Sequence, residues 1–260
     1  MSKFIDRLRR LRQASGAVAQ PMGFGRGKPV SPEPKILLVA SLARAAAGNL
    51  ADLVAGADAG LLGISGSGGD SKTLRQCAAA VPDIPWGGWL NGSTRRKGRQ
   101  VKDSGCDFIV FPAKMPLGVL EDTGAGRILE VEATLDGGLL RTIDELPVDG
   151  VLISVKKEDG LPVTWQQLML FQRASRLLTK PLLVPVPPEV TAAELRMLWQ
   201  AGVDGVILEL GDGRPSGGLG QLREAVNKLA FPSRIRRGKV GALLPKISGE
   251  AGLESEEELP

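Results

Sequence analysis

The chain has 260 residues, a formal net charge of +4, and neither histidine nor tyrosine. Histidine is the usual proton-transfer residue near neutral pH, so its absence excludes Ser-His-Asp triads, Cys-His dyads and histidine-based metal sites. An apolar content of 43% suits a soluble core, and no apolar run reaches the roughly 18 to 20 residues that span a bilayer. We therefore expect a cytoplasmic protein without a transmembrane segment.

Charge is concentrated at the two ends of the chain. Positions 3 to 12 are strongly basic, and the sequence ends in the acidic run "ESEEELP". No basic face rich in aromatic residues lies between them, which argues against nucleic acid as a partner. We expect a small-molecule metabolite as the partner, and self-association into a homo-oligomer stays open.

The first predicted element is a short basic helix with an apolar stripe formed by Phe4, Ile5, Leu8 and Leu11. A segment rich in proline and glycine follows it, so residues 1–34 are expected to form a separate helix and linker. Two placements fit the stripe. The helix either caps the bottom of a barrel or binds a membrane surface or a partner.

Four short apolar runs each begin with an aspartate, namely Asp58, Asp107, Asp149 and Asp204. Four further apolar runs alternate with these, and each gap is long enough to hold a helix. Thr164 and Thr191 are expected to cap two of the helices, and Gly202 to end the second. This order predicts a (βα)8 TIM-type barrel over residues 35–230. The alternative, an open doubly wound sheet, lacks its dinucleotide loop here. Residues 231–260 are expected to form a partly disordered C-terminal extension with an acidic tail.

The fifth predicted strand, "GRILEVEATLDG", carries two carboxylates among apolar residues. Glu130 and Glu132 share one face, because successive side chains of a strand point in opposite directions. The other face is apolar and is expected to pack on the surrounding helices. The two carboxylates should therefore point into the barrel, where they need cations, hydrogen-bond donors or a ligand.

The same parity places other polar residues at the carboxyl ends of the strands, where barrel enzymes have their active sites. Lys114, Ser154 and Lys156 follow the fourth and sixth strands, Glu209 ends the eighth, and Ser65 follows the second. We expect Ser65 and Ser154 to contact substrate. The "WGGW" run places Trp86 and Trp89 on opposite faces and favours packing.

Three interpretations of the carboxylates stay open. Lys156 could form a Schiff base with a carbonyl substrate, its pKa lowered by burial or by Lys114, while Glu132 or Glu209 moves protons. Glu132 and Glu209 could instead hold Mg²⁺ or Mn²⁺. Without any chemistry, Glu130 and Glu132 could pair with Lys114, Lys156 or Arg127 in a buried network.

The glycine-rich loop after the eighth strand, "GDGRPSGGLGQLREAV", is a candidate anion site. Arg214 and the backbone of Gly217 and Gly218 could hold a phosphate at the start of a helix. A surface loop would explain the same glycines.

The run "RILEVEATLDGGLLRTIDELPVDGVLIS" resembles the fifth and sixth strands of the HpcH/HpaI aldolase barrels. The resemblance implies that Glu132 is a metal ligand. The chain departs from that pattern at Lys157, near the position where a second metal-binding acid is expected.

These features predict a barrel enzyme of lyase (aldolase-like) or isomerase type that acts on a small carbonyl acid or a phosphorylated metabolite. In it, Lys156 would be nucleophile or electrostatic stabiliser, Glu132 base or metal ligand, Glu130 its orienting partner, and Glu209 a second acid. The alternative is a non-catalytic barrel that binds partners through its charged terminal segments.

Overall fold

The computed structural model of the chain describes residues 2–16, 34–42, 50–64, 70–90, 104–120, 123–155, 162–210 and 218–231. Eight parallel strands, each paired with the next in chain order, close into a barrel. The last strand pairs with the first, from Leu37 opposite Gly205 to Leu42 opposite Leu210. The predicted TIM-type barrel is therefore confirmed.

The strands are short and follow the eight predicted apolar runs. They are β1 Leu37–Leu42, β2 Ala59–Ile64, β3 Trp86–Leu90, β4 Phe108–Pro112, β5 Gly126–Glu132, β6 Gly150–Ser154, β7 Leu182–Val186 and β8 Gly205–Leu210. The described helices are α1 Lys3–Gly16, α2 Leu50–Leu53, α3 Asp70–Ala80, α4 Gly137–Thr142, α5 Trp165–Leu177, α6 Ala192–Gln200 and α7 Gly218–Lys228.

Alternation along each strand divides the core into two layers. Outward residues such as Leu38, Val151 and Val206 pack under the helices. Inward residues such as Val39 and Ile128 form a second cluster inside the barrel. Both layers are apolar because a parallel sheet covered by helices buries both of its faces.

Helix α1 closes the amino end of the barrel. Phe4, Ile5, Leu8 and Leu11 are buried in the inner cluster, and the Phe4 ring stacks on Phe108 with centroids 4.3 Å apart. The expected capping of the barrel bottom is confirmed. The apolar stripe faces the barrel interior, so it is not presented to a membrane or to another partner.

The four repeated aspartates lie at this amino end, and all four contact α1. Asp58 does so through its carbonyl, which accepts from Arg7 at 3.1 Å, and the other three through their carboxylates. Asp107 accepts hydrogen bonds from the backbone N–H groups of Lys3 and Phe4, at 2.8 and 2.9 Å, at the start of the helix. Asp149 pairs with Arg9 at 2.5 Å, and Asp204 pairs with Arg12 at 2.6 Å. The carboxylates therefore match the positive N-terminus and the basic side chains of the helix.

Three of the aspartates also accept a hydrogen bond from the N–H group of the first or second residue of the strand before their own. Asp58 accepts from the N–H of Leu38, Asp149 from that of Arg127, and Asp204 from that of Leu182, at 2.7 to 2.9 Å. Each hydrogen bond ties an odd-numbered strand to the next one. This bond explains the aspartate at three of the four positions, whereas the carboxylate of Asp107 bonds, within the described part of the chain, only the start of α1.

The predicted helix boundaries of α5 and α6 are confirmed. Thr164 and Thr191 each accept a hydrogen bond from the backbone N–H three residues later, and Gln167 and Glu194 complete reciprocal capping boxes. Gly202 follows α6 with φ +100°, a conformation that favours glycine.

No helix in the described ranges has both the length and the apolar character needed to cross a membrane. The linker at 17–33 and the extension from 232 onward lie outside the described residues, so the expected division at 34 and 231 stays a prediction.

Candidate functional site

Polar side chains and a glycine replace the apolar inner layer at the carboxyl end of the barrel. Val39 and Ile207 belong to the inner cluster, so Ser41 and Glu209, each two positions further along its strand, face the same way. The same parity gives Gly63 on β2, Glu130 and Glu132 on β5, and Ser154 on β6. Among the described residues, no atom lies within 4 Å of the position that a Cβ at Gly63 would take, so the described part of the mouth leaves space beside β2.

Glu130 is the half-buried carboxylate of the mouth. Its Oε2 accepts a hydrogen bond of 2.9 Å from the indole Nε1 of Trp89, which lies two strands away and packs on the inner cluster. Trp86, on the opposite face, donates to the carbonyl of Val81. Trp86 therefore has a packing role, whereas Trp89 positions Glu130. The sequence pattern placed Trp89 on the face opposite Trp86 but did not identify Glu130 as the acceptor of its N–H.

Glu132 lies at the end of β5, opposite Ser154 of β6. Its side chain is exposed and makes no hydrogen bond to the described residues, while the Ser154 hydroxyl donates to the carbonyl of Val131 at 3.2 Å. Glu132 is therefore available to a ligand entering the mouth, and Ser154 fixes the edge beside it.

Glu209 occupies the other side of the mouth. It is half-buried on β8, opposite the buried Ser41 of β1. Strands β6 and β7 separate it from Glu132. The mouth thus presents acidic groups from two sides of one opening.

The described residues do not form the ion-pair network considered from the sequence. Arg127 lies on the outer face of β5, where its guanidinium donates to the carbonyl of Leu120 at 3.1 Å. Lys114 is exposed beyond β4. Among the described residues, neither Glu130 nor Glu132 has a cationic partner.

Other predicted site residues lie outside the described residues, namely Ser65, Lys156, Lys157, Arg214 and Gly217. Gly218 is the first residue of α7, which follows β8, and a Cβ there would meet no atom of the described residues within 4 Å. Their expected roles stay predictions.

A metal centre needs several acidic or cysteine side chains close together. Within the described ranges, no three such residues come together in a way that could hold a metal ion. Glu132 and Glu209, on strands separated by two others, do not form a complete centre by themselves. The expected Mg²⁺ or Mn²⁺ therefore stays a prediction.

No protein-family model matches the chain, and comparison with curated proteins finds no match. Solved structures of the same fold are similar. A single-residue variant of the tryptophan synthase alpha-subunit from Pyrococcus furiosus has a TM-score of 0.59 at 16% identity, covering 74% of this chain and 98% of that one. A chain of the tryptophan synthase complex from the same organism gives 0.57 at 15% identity, with 75% and 99% covered. At such identities the likeness shows a shared TIM-barrel fold, and the resemblance to HpcH/HpaI aldolases stays a prediction.

Proposed function

We propose that the protein is a lyase or isomerase that moves protons on a small carbonyl acid or a phosphorylated metabolite at the carboxyl mouth of its barrel. The observation that carries the proposal is Glu130. It is a half-buried carboxylate held by the Trp89 indole, beside an exposed Glu132 and with no described cation paired to it. A half-buried carboxylate that is oriented by a neutral donor keeps its charge available to a ligand.

The two carboxylates of β5 have different environments and so suit different tasks. Glu132, which is exposed and makes no hydrogen bond to the described residues, is the proposed base that takes a proton from the carbon next to the substrate carbonyl. Glu130, oriented by Trp89, positions substrate and base. Glu209, on the opposite side, is the proposed acid that returns a proton.

The proposed anion site lies at the start of α7. The helix begins with Gly218 directly after the loop that follows β8, and the first N–H groups of a helix favour an anion. Arg214 and Gly217 are the proposed further contacts. A phosphate held there would direct the rest of the substrate toward the mouth.

The proposal is tested by hydrogen exchange in D₂O. The protein is incubated with a panel of 2-oxo acids and phosphorylated ketoses, and loss of the proton next to the carbonyl is followed by NMR. We expect exchange with at least one compound, a loss of about 10²-fold or more in Glu132→Gln, and smaller losses in Glu130→Gln and Glu209→Gln. Glu145→Gln, an exposed change outside the mouth, is the matched control.

Exchange by all variants alike would contradict the proposal, as would the absence of exchange with the whole panel. Borohydride trapping separates the two lysine roles. A covalent adduct that disappears in Lys156→Met would make Lys156 the Schiff-base nucleophile, whereas exchange without an adduct would leave it as an electrostatic stabiliser.

A further inference from the structure

Helices α5 and α6 leave an apolar groove open on the outside of the barrel. It is lined by Trp165, Leu168, Met169 and Met197 and has a volume of about 280 Å³. Trp165 is 73% exposed, Met169 64% and Met197 37%. Large apolar side chains grouped on a surface commonly mark a site that another segment covers.

A second groove, which we call the arginine groove, lies between α4 and α5. Arg141, Arg173 and Arg176 line it together with Gly137, Gly138 and Leu177, around a volume of about 450 Å³. Arg173 donates to the carbonyl of Leu135 at 3.4 Å. Arg141 and Arg176 form no side-chain hydrogen bond or ion pair with the described residues.

Asp136, which adjoins the lining residue Gly137 in sequence, is already engaged. Asp136 accepts a hydrogen bond from the N–H of Gly138 at 2.6 Å and caps α4. The arginine groove is therefore a concentration of positive charge that suits an acidic segment, since carboxylates bind guanidinium groups through charge-assisted hydrogen bonds.

The chain leaves the described region beside α6, one of the two helices that line the apolar groove. Phe231, after α7, packs edge-on against Trp199 of α6 with ring centroids 5.2 Å apart. Helices in contact lie about 8–10 Å apart, so the apolar groove begins one helix away from Phe231. The arginine groove follows it on the other side of α5.

The sequence beyond Phe231 has complementary segments in the same order. The apolar run "VGALLPKI" occupies 240–247, and Glu250, Glu254, Glu256, Glu257 and Glu258 follow without an intervening basic residue. An extended chain advances about 3.3 Å a residue, so residues 232–239 can reach across α6, and those that follow can cross α5. The order of grooves around the barrel thus matches the order of segments along the chain.

We propose that the C-terminal segment docks on its own barrel, with residues 240–247 in the apolar groove and the glutamates at 254–258 on the arginine groove. A tethered segment has an effective concentration in the millimolar range for a short linker, which favours the same chain over a second copy or an unrelated acidic protein. Docking would remove Leu243, Leu244 and the Trp165 groove from water.

Trp165 supplies the readout, because Trp86 and Trp199 are buried and Trp89 is half-buried. Acrylamide quenching is measured on the full chain, and Trp165→Phe gives the background of the other three. We expect Trp165 to be protected in the full chain and to reach the quenching constant of a free indole in Leu243→Asp/Leu244→Asp. This variant should still unfold cooperatively, at or slightly below the wild-type melting temperature, because it loses the docked segment while the barrel core is unchanged.

Charge reversal tests the acidic half of the proposal. One variant reverses the acidic segment by changing four glutamates to Lys, at positions 254, 256, 257 and 258. A second reverses the arginine groove by changing Arg141, Arg173 and Arg176 to Glu. Each variant alone should raise quenching of Trp165. Combining the two sets should restore protection, which repulsion alone or loss of folding would not produce. The matched control reverses Lys72 and Arg75 on α3 and should leave quenching unchanged.

Equal quenching of Trp165 in the full chain and in Leu243→Asp/Leu244→Asp would overturn the proposal. Protection that disappears on dilution, together with dissociation of a dimer, would assign the grooves to a second copy and overturn it as well. Protection that is independent of concentration and restored by the combined reversal would support it.

Discussion

Arg12 and Asp204 form a buried ion pair in the floor of the barrel, with Nη1 2.6 Å from Oδ2 although the residues lie 192 positions apart. Asp204 also accepts from the N–H of Leu182 at 2.9 Å, and Arg12 donates to the carbonyl of Leu178 at 2.6 Å. The pair therefore joins the last turns of α1 to the starts of β7 and β8. Arg12, which in the sequence belongs to a basic helix, therefore contributes a buried ion pair to the barrel.

Replacing Arg12 with Met should strongly destabilise the fold, because it leaves the Asp204 carboxylate buried without its cation. We expect a loss of about 3–5 kcal/mol in the free energy of unfolding, measured by urea titration. Arg9→Met is the matched control. The side chains of its pair with Asp149 are 44% and 28% exposed, against 9% and 0% for Arg12 and Asp204, so the substitution should cost about 1 kcal/mol or less. Equal losses would contradict the burial argument.

Phe4→Ala should cost about 3–5 kcal/mol, because Phe4 is fully buried and stacks on Phe108. Leu117→Ala, at a side chain that is 95% exposed, should change stability by no more than about 0.5 kcal/mol. Thermal melting compares the two. Deleting residues 1–16 should lower the melting temperature further, whereas a scaffold that used this helix only to bind partners would melt unchanged.

The pKa of Asp58 should move with its neighbour Arg223. Burial raises the pKa of Asp58 above the ordinary aspartate value, and the charge of Arg223 and the N–H of Leu38 oppose the rise. The folded state thus takes up this proton at a higher pH than the unfolded chain. The stability contributed by Asp58 is fully present below the unfolded pKa and is lost as pH rises through the folded pKa.

Arg223→Gln should raise the Asp58 pKa further and widen that window, because it removes the positive charge beside the carboxylate. A carboxyl ¹³C titration of selectively labelled protein measures the shift. Arg75→Gln, on the exposed face of α3, is the control with the same charge change. A pKa that stays constant or falls in Arg223→Gln would refute the expectation.

Trp89→Phe should destabilise the mouth, because it removes the N–H that Glu130 accepts. Leaving a half-buried carboxylate without that donor costs about 1–3 kcal/mol. A double-mutant cycle isolates the effect, since the same substitution in a Glu130→Leu background should cost less. Equal losses in both backgrounds would mean that Trp89 acts through packing alone.

Melting in chelator, Mg²⁺ and Mn²⁺ distinguishes carboxylates that transfer protons from carboxylates that hold a metal. With the proposed proton transfer, we expect the same melting temperature in all three buffers. A ligand that binds only the folded state must raise its stability. A rise with either metal that is lost in Glu132→Gln would instead identify a metal site at the mouth.

Much of the barrel was predictable because it rests on local patterns. The aspartates at 58, 107, 149 and 204, each followed by an apolar run, located every second strand. Thr164 and Thr191 marked helix starts by side-chain chemistry that acts over three residues. Strand parity likewise placed Glu130 on the same face as Glu132.

Partners across the fold were not predictable in this way. The hydrogen bond from Trp89 to Glu130 could not be predicted from the residues around Glu130. The two side chains meet only because β3 and β5 lie two strands apart in the sheet. Arg127, adjacent in sequence to the acidic face, turned outward to Leu120 because of the same parity that turned Glu130 inward.

The number, order and faces of the strands follow from the sequence, because alternation and capping depend on residues a few positions apart. The roles of the repeated aspartates and of the basic helix follow from the closed fold. Closure of the barrel brings the starts of the strands together at one end, and there a helix of complementary charge and shape fills the floor.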